Sequence, residues 1–232
     1  MLPCMEHREV TRNGSESRLA NQRLMLLGAG SFASELADLI GEIPGYSVTA
    51  FVESLDRSKA GERVEELPIV WIDDIAKYVD SHVGICALGT TQRSSFIEQV
   101  SARGLRFVTL VHPTAQVSST STLGRGTLVS RGSITAAHTK IGRHVVINRG
   151  CLIGHHVEIG AFCTISPGAN IAGNTRIGTA VYVGMGAIIL NGLRIGDHSV
   201  IGAGSVVTKD VPDHVQVVGV PARITKEDIE GL

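Results

Sequence analysis

The sequence predicts a small α/β domain followed by a parallel β-solenoid, and three observations support this prediction. An aliphatic residue recurs at every sixth position from Val117 to Val207, interrupted only at Thr135. Such a period matches neither the helical repeat of about 3.6 residues nor the two-residue alternation of a half-buried strand. Before the repeat, residues 23–112 alternate between strand and helix patterns, and a glycine-rich turn follows the first strand. A six-residue period of this length indicates a short-repeat solenoid.

The N-terminal domain is predicted over residues 23–112, after a polar leader, residues 1–22, that we expect to be disordered. A strand over residues 23–27 leads into Gly28-Ala29-Gly30-Ser31-Phe32-Ala33 and a helix, and a second strand over residues 47–52 ends at Glu53. This order is typical of a nucleotide-binding βαβ unit, in which N–H groups at the helix start receive phosphate. The alternative is that the glycines only form a tight turn.

The remaining N-terminal pattern limits the size of the ligand. Further strands are predicted over residues 68–71, 84–88 and 106–111, with a helix over residues 92–103. Together these elements form about one mononucleotide-binding half of a Rossmann fold. A mononucleotide ligand, such as a nucleotide sugar, is therefore favoured over NAD.

The solenoid is predicted over residues 113–232 as a triangular prism. Each hexapeptide forms one short strand and a turn, and three of them form a coil of about 18 residues, so positions 18 apart stack. His155 is then a neighbour of Gly173, which places an imidazole beside an accessible backbone amide, the general base and oxyanion donor of acyl transfer. His156 stacks between His138 and Asn174. Lys140, Glu158, Arg176 and Arg194 form a column expected to be an exposed salt-bridged ladder.

Composition excludes several classes of protein. The chain has 232 residues, 43% of them hydrophobic, and a formal net charge of −1, with no Lys/Arg cluster and no long apolar run. We therefore expect a soluble cytoplasmic protein that neither inserts into membranes nor binds nucleic acid. Cys151 and Cys163 occupy small-residue core positions, which indicates buried reduced thiols.

The other histidines suggest no metal site. A solenoid zinc site would need a spacing of histidines that is absent from the sequence, so no metal is expected. The four histidines His112, His144, His198 and His214 are expected to be solvated surface residues.

The sequence resembles the bacterial sugar O/N-acetyltransferases of NeuD/PglD type. The resemblance covers nearly all of the chain after the leader. It rests on these motifs: Leu27-Gly28-Ala29-Gly30, Ala87-Leu88-Gly89, Val111-His112-Pro113, Asn148 through His155, Ser166-Pro167-Gly168-Ala169, Ala172-Gly173-Asn174, Val207-Thr208-Lys209-Asp210-Val211-Pro212 and Gly219-Val220-Pro221-Ala222-Arg223. The last two are shared by many hexapeptide acyltransferases and are less specific.

The resemblance implies a left-handed β-helix, a homotrimer with active sites between neighbouring prisms, and acetyl-CoA as the co-substrate. It implies that His155 takes the proton of the acceptor and that Gly173 donates its amide to the acetyl oxygen. The implied coenzyme contacts are Thr164, Gly173, Gly184, Gly202, Lys209, Pro221 and Arg223. The implied nucleotide-sugar contacts are Gly28, Ala29, Gly30, Ser31, Phe32, Glu53, Gly89 and Thr90.

Two positions depart from the family pattern. We count His156 with His155 and Gly173 as candidate catalytic residues. His156 occupies the place of a carboxylate that orients the catalytic imidazole and raises its basicity, and a second histidine cannot supply that charge. Either the base is weaker, or a carboxylate arrives from elsewhere, such as the partner subunit. Thr164 stands where the family often has a histidine near the acetyl group.

The first hypothesis is N-acetylation of a nucleotide-linked amino sugar, of UDP- or dTDP-4-amino-sugar type, for surface glycan biosynthesis. O-acetylation of a sugar of sialic acid type, a non-catalytic nucleotide-sugar binder and, last, an NAD-binding regulator remain the alternatives.

Overall fold

The computed structural model describes residues 21–232. The predicted leader, residues 1–22, lies outside the described residues except for Asn21 and Gln22, and Gln22 already belongs to the first strand. Within the described part of the chain, neither helix has the length and apolar character needed to cross a bilayer.

The N-terminal domain is a six-stranded sheet flanked by helices. Its elements are β1 (Gln22–Leu27), α1 (Ser31–Gly41), β2 (Tyr46–Glu53), β3 (Arg63–Val64), β4 (Leu67–Trp71), β5 (His82–Cys86), α2 (Ser94–Ala102) and β6 (Arg106–Phe107), with short 3₁₀ turns at Arg57–Lys59 and Ile72–Lys77. The strand order is β3-β4-β2-β1-β5-β6, and only the β3–β4 pair is antiparallel. Since β2 and β5 lie on opposite sides of β1, the order in which the strands are added to the sheet reverses at β1.

The rest of the chain forms three sheets with a six-residue repeat, and all their strand pairs are parallel except the last pair in the chain. Sheet I contains β7 (Leu110–Val111), β10 (Leu128–Val129), β13 (Val146–Ile147), β16 (Thr164–Ile165), β19 (Tyr182–Val183), β22 (Val200–Ile201), β24 (Gln216–Gly219) and β25 (Ala222–Lys226). Sheet II contains β8 (Gln116–Val117), β11 (Ile134–Thr135), β14 (Leu152–Ile153), β17 (Asn170–Ile171), β20 (Ile188–Ile189) and β23 (Val206–Val207). Sheet III contains β9 (Thr122–Leu123), β12 (Lys140–Ile141), β15 (Glu158–Ile159), β18 (Arg176–Ile177) and β21 (Arg194–Ile195).

The strand register confirms the predicted coil. Residues 18 apart pair, as in Leu128↔Val146, Leu152↔Asn170 and Glu158↔Arg176. The second residue of most two-residue strands points inward, and these residues form one continuous aliphatic core. Parallel sheets built from hexapeptides fit the left-handed β-helix implied by the resemblance.

The first residue of each solenoid strand points outward, and the three faces differ. On sheet I, Leu110, Leu128 and Val146 are buried in the core of the N-terminal domain. Sheet II exposes apolar side chains: Ile134, Leu152 and Ile188 are 42%, 43% and 41% exposed. Sheet III presents the predicted charged ladder, in which Lys140 Nζ lies 3.0 Å and Arg176 Nε 3.8 Å from the carboxylate of Glu158.

A buried arginine joins the two halves of the chain. Arg93 precedes α2 and is only 1% exposed. Its guanidinium donates hydrogen bonds to Thr164 Oγ1, the His144 carbonyl and the Cys163 carbonyl, each at 2.8 Å, and to the Thr90 carbonyl. Sequence reasoning missed this contact, because the pattern around Arg93 resembles that of any helix start.

The domain boundary predicted at residues 112/113 needs a correction. The strand predicted over residues 106–111 is two strands: β6 belongs to the N-terminal sheet, whereas Leu110 in β7 pairs with Leu128. The first coil therefore begins at Leu110, three residues earlier than expected.

Two histidines expected at the surface are buried. His112 is enclosed, and its Nε2 lies 2.7 Å from Glu42 Oε2. Arg131, and after it His112, lower the pKa of Glu42 by hydrogen bonding. His144 packs edge-on to Phe107 and stacked on Phe162, so the prediction of solvated histidines was wrong at both positions. Cys151 and Cys163 are buried free thiols, as predicted.

His144 should make stability depend on pH. Burial lowers the pKa of His144 from 6.5 to about 4, helped by Arg125, Arg143 and Arg93. The unfolded chain binds a proton at this residue below pH 6.5, whereas the folded chain does so only near pH 4. The free energy of unfolding therefore falls as the pH drops through that window, by on the order of 3 kcal/mol in total.

The test is urea unfolding of wild type and His144→Phe at pH 7 and pH 5. Phe162 occupies the same left-handed corner position one coil later, with φ 62°, so phenylalanine suits this site. We expect wild type to lose about 2 kcal/mol more than the variant between the two pH values. An equal loss in both proteins would contradict the account.

Candidate functional site

The histidine pair lies at the corner between sheets II and III. His155 and His156 follow β14 and precede β15, and both side chains are exposed. The neighbouring coils hold this peptide on both sides, since the His156 N–H donates to the Ala137 carbonyl at 3.0 Å and the Asn174 N–H donates to the His155 carbonyl at 2.9 Å. The rigid coil ladder thus fixes the backbone of the candidate base.

The predicted proximity of His155 and Gly173 is confirmed. A Cβ atom on Gly173 would lie 2.8 Å from both Cε1 and Nε2 of His155, so the imidazole occupies the space above this glycine. Among the described residues, the buried Gly173 N–H has no hydrogen-bond acceptor. A side chain here would displace the imidazole, which explains the need for glycine. The corner therefore combines a possible base with a free backbone donor.

His156 contacts histidines on two sides. The Nδ1 atoms of His155 and His156 are 3.1 Å apart, and the His156 ring centroid lies 4.9 Å from that of His138. A hollow of about 440 Å³ opens beside His156 on the sheet III side, where its lining includes Glu158, Arg176 and Arg194. No carboxylate of the described residues hydrogen-bonds to His155 or His156.

Two of the predicted coenzyme glycines, Gly184 and Gly202, lie at the other edge of sheet II. Gly184 and Gly202 occupy the corner between sheets I and II, whereas His155 lies at the corner between sheets II and III. Each is packed against the next coil: a Cβ on Gly184 would lie 2.5 Å from the Ala203 nitrogen, and one on Gly202 2.8 Å from Val218 Cγ2. Both glycines thus have a structural role, and the width of sheet II separates them from His155 of the same chain.

The expected acetyl-group contact of Thr164 is contradicted. Thr164 points outward from sheet I beneath the N-terminal domain, is 3% exposed, and its hydroxyl accepts a hydrogen bond from Arg93. A side chain enclosed in this way does not contact a coenzyme. Sequence spacing could not reveal this, because the position faces solvent in an uncovered prism.

The last coil brings two predicted cations together. Lys209 and Arg223 line one pocket of about 230 Å³ with Asp210, and the exposed Pro221 lies in the turn between β24 and β25. The pocket is suited to an anionic group, because both long side chains are exposed cations.

The predicted nucleotide-sugar residues gather at the carboxyl edge of the N-terminal sheet. Gly28 follows β1, Glu53 ends β2 and Gly89 follows β5. In open α/β sheets, ligands bind at this edge where the strand order changes direction, and here that point is β1. The topology therefore places these residues around one crevice.

The glycine turn contains both structural and open positions. Gly28 has φ +108°, and a Cβ there would lie 2.7 Å from Leu88 Cδ2, so it is required by the turn. Ala29 and Phe32 pack partly against the domain core. A Cβ on Gly30 would meet no atom within 4 Å, and the N–H groups of Ser31 and Phe32 at the start of α1 have no acceptor among the described residues.

Glu53 and Thr90, two of the predicted nucleotide-sugar contacts, form hydrogen bonds within the protein. Glu53 Oε1 accepts hydrogen bonds from the Ser54 and Leu55 N–H groups, both at 2.8 Å. The Thr90 hydroxyl donates to the Leu232 carbonyl, so Thr90 anchors the C-terminal segment rather than offering its hydroxyl to a ligand. Across residues 21–232, no group of three or more His, Cys, Asp or Glu side chains has an arrangement that could hold a metal ion.

The solenoid and its histidine corner define the class of protein, a hexapeptide-repeat transferase. The model of the family described as bacterial transferase hexapeptide (six repeats) matches residues 138–173 and 174–209. A comparison with curated proteins finds no match.

Solved structures match almost the whole chain. PerB from Caulobacter crescentus, in complex with CoA and GDP-perosamine, is 30% identical with a TM-score of 0.81, over 90% of this chain and 99% of that chain. The acetyltransferase domain of PglB from Neisseria gonorrhoeae, in complex with acetyl coenzyme A, is 29% identical with a TM-score of 0.81, over 88% and 100%. WeeI from Acinetobacter baumannii is 27% identical with a TM-score of 0.79, over 88% and 100%. The chain belongs to the family of bacterial hexapeptide-repeat sugar acetyltransferases of NeuD/PglD type.

Proposed function

We propose that the protein is an acetyl-CoA-dependent N-acetyltransferase that acts on a nucleotide-linked amino sugar for surface glycan biosynthesis. The observation that carries the proposal is the imidazole of His155 above Gly173, whose amide is free. A perosamine N-acetyltransferase from Caulobacter crescentus, in a variant with a histidine replaced by asparagine, also matches at 29% identity. Because that enzyme acetylates a nitrogen atom, the similarity favours nitrogen over oxygen as the acceptor atom. GDP therefore joins UDP and dTDP as a candidate nucleotide.

The geometry supports direct acetyl transfer. His155 Nε2 accepts a proton from the sugar amine as the amine nitrogen attacks the thioester carbonyl carbon. The Gly173 N–H stabilises the negative charge that develops on the carbonyl oxygen. The C–S bond then breaks, and the coenzyme thiolate takes the proton from His155 Nε2, which regenerates the base. The products are the N-acetyl sugar nucleotide and free CoA.

Replacing His155 with Ala should lower kcat/KM by about 100-fold or more, because a positioned general base contributes that much. The measurement is release of the CoA thiol from acetyl-CoA with UDP-, dTDP- and GDP-linked 4-amino sugars. His198→Ala is the control, since His198 has a similar left-handed backbone with φ 56° at another corner. Near-wild-type turnover of His155→Ala would show that the base is wrongly assigned, whereas retained sugar binding in a wild type without turnover would favour a non-catalytic binder.

We infer that the N-terminal domain is a Rossmann-like nucleotide-sugar-binding domain and that the solenoid from Leu110 onwards is the acetyltransferase domain. The open space at Gly30 and the unpaired N–H groups of Ser31 and Phe32 support a phosphate position at the start of α1. Glu53 and Gly89 border the same crevice.

Gly30→Val should abolish nucleotide-sugar binding without unfolding the protein. The added methyl groups occupy the space that a phosphate would need, and they meet no protein atom within 4 Å at Cβ. In a thermal-shift assay, ligand at about 100 times its dissociation constant should stabilise wild type by about 2.7 kcal/mol and leave the variant unchanged. Gly41→Ala, at the other end of α1, is the matched control. An equal shift in Gly30→Val would refute the phosphate position.

We infer that three copies assemble through sheet II. It exposes the large apolar side chains Ile134, Leu152 and Ile188, with Asn170 between the last two, and a group of exposed apolar side chains on one face marks an interaction surface. Gly184 and Gly202 lie on the edge of that sheet opposite to His155, so packing of one prism against the next brings them together. The N-terminal domain covers sheet I of its own chain, and sheet I faces away from the His155 corner. The N-terminal domain that binds the sugar nucleotide next to His155 therefore comes from another subunit.

Leu152→Arg should convert the assembly to monomers, since a buried unpaired charge at an interface is costly. Light scattering coupled to size-exclusion chromatography should give a wild-type mass about three times the chain mass and a monomer for the variant. Thr122→Arg, which adds the same charge to sheet III, should remain trimeric. A monomeric wild type would contradict this assembly.

We further propose a cytoplasmic location. The three described cysteines are buried free thiols, which suits a reducing compartment.

A further inference from the structure

The contact between His155 and His156 replaces the family's pairing of an imidazole with a carboxylate. The two Nδ1 atoms are 3.1 Å apart, so one nitrogen carries a proton and the other accepts it. His155 can accept the substrate proton at Nε2 only when its own proton is on Nδ1. The group that accepts the proton of His155 Nδ1 therefore determines whether His155 Nε2 is unprotonated and able to act as the base.

Among the described residues, no carboxylate hydrogen-bonds to His155 or His156. Glu158 lies two residues beyond His156, but Lys140 and Arg176 hold it on the face of sheet III. The hydrogen bond from Lys140 lowers the pKa of Glu158, so this group stays ionised and paired with cations. The other groups that face His156 are the ring of His138 on the preceding coil, Asn174 on the following coil, and Arg194 across the hollow.

We propose that His156 is a positioning residue that accepts the Nδ1 proton of His155 and thereby keeps Nε2 of His155 free to act as the base. The inference rests on the proposed acetyl transfer. During the reaction the amine N–H bond breaks and an N–H bond forms at His155 Nε2. The Nδ1 proton of His155 can then shift to His156 Nδ1, so the positive charge is shared by two imidazoles instead of being neutralised by a carboxylate.

The coil geometry explains why a neutral acceptor can fill this role. His156 has φ +56°, and the hydrogen bond to Ala137 and the ring of His138 hold its backbone and side chain. In this arrangement its Nδ1 lies 3.1 Å from Nδ1 of His155. A residue that orients a catalytic imidazole acts by holding its hydrogen-bonding atom in a fixed position, and a neutral side chain can do this as well as a charged one.

A matched pair of amide substitutions tests the proposal. In His156→Asn the side-chain oxygen takes the place of Nδ1, whereas in His156→Gln the longer side chain places its amide near Nε2. We expect kcat of His156→Asn within about threefold of wild type and kcat of His156→Gln lower by at least about tenfold, with KM for both substrates little changed. His198→Gln, at a left-handed corner outside the site, controls for the cost of glutamine in this backbone conformation.

The tautomer itself is a readout that does not depend on turnover. Histidine-selective ¹⁵N labelling, assigned by comparison with His155→Ala, should show His155 protonated on Nδ1 in wild type and His156→Asn, and on Nε2 in His156→Gln. Equal kcat of the Asn and Gln variants, or an Nε2-protonated His155 in wild type, would overturn the proposal. A wild type that shows no turnover would instead refute the proposed function, while the ¹⁵N spectrum still decides the role of His156.

Discussion

The backbone hydrogen-bond ladder between successive coils is the constraint on which the rest of the structure depends. Most strands of the solenoid pair with residues 18 positions later, from Leu110↔Leu128 to Ile188↔Val206, and the last coil shortens this step to 16 in Val200↔Gln216. Parallel pairing at a fixed register leaves no freedom to slide, because a one-residue slip would turn every axial side chain outward. The ladder therefore sets both the continuous core and the position of every corner residue.

The same register gives the prism three faces that differ in their outward side chains and in what covers them. Sheet I is covered by the N-terminal domain, held by Arg93 and by ion pairs such as Arg131 with Glu42. Sheet II exposes the apolar side chains of Ile134, Leu152 and Ile188, and sheet III bears the charged ladder. The candidate base lies on the edge between the last two faces, opposite the domain that we propose binds the sugar nucleotide. In the assembly that we propose, packing between subunits brings the base and this domain together.

The solenoid could be predicted almost completely from the sequence, because its period counts residues directly and positions 18 apart become neighbours. The pairing of His155 with Gly173 followed from that count. Interactions between the two domains could not be predicted, since no local pattern shows which face of the prism will be covered. For this reason the expectations for Thr164, His112 and His144 were wrong, and Arg93 was missed. The start of the solenoid was placed too late because β6 and β7 are continuous in hydrophobic pattern but belong to different sheets.

We propose that each active site combines the N-terminal domain of one chain with His155 of another. Subunit complementation tests it most directly: His155→Ala and Gly30→Val chains are co-expressed with different tags, and mixed assemblies are isolated by both tags. Neither variant should be active alone. Shared sites should restore roughly a third of the wild-type activity in these mixed trimers, since one of the three interfaces in each of them joins two intact halves. Mixed assemblies as inactive as the separate variants would show that each chain builds its own site and would contradict the account.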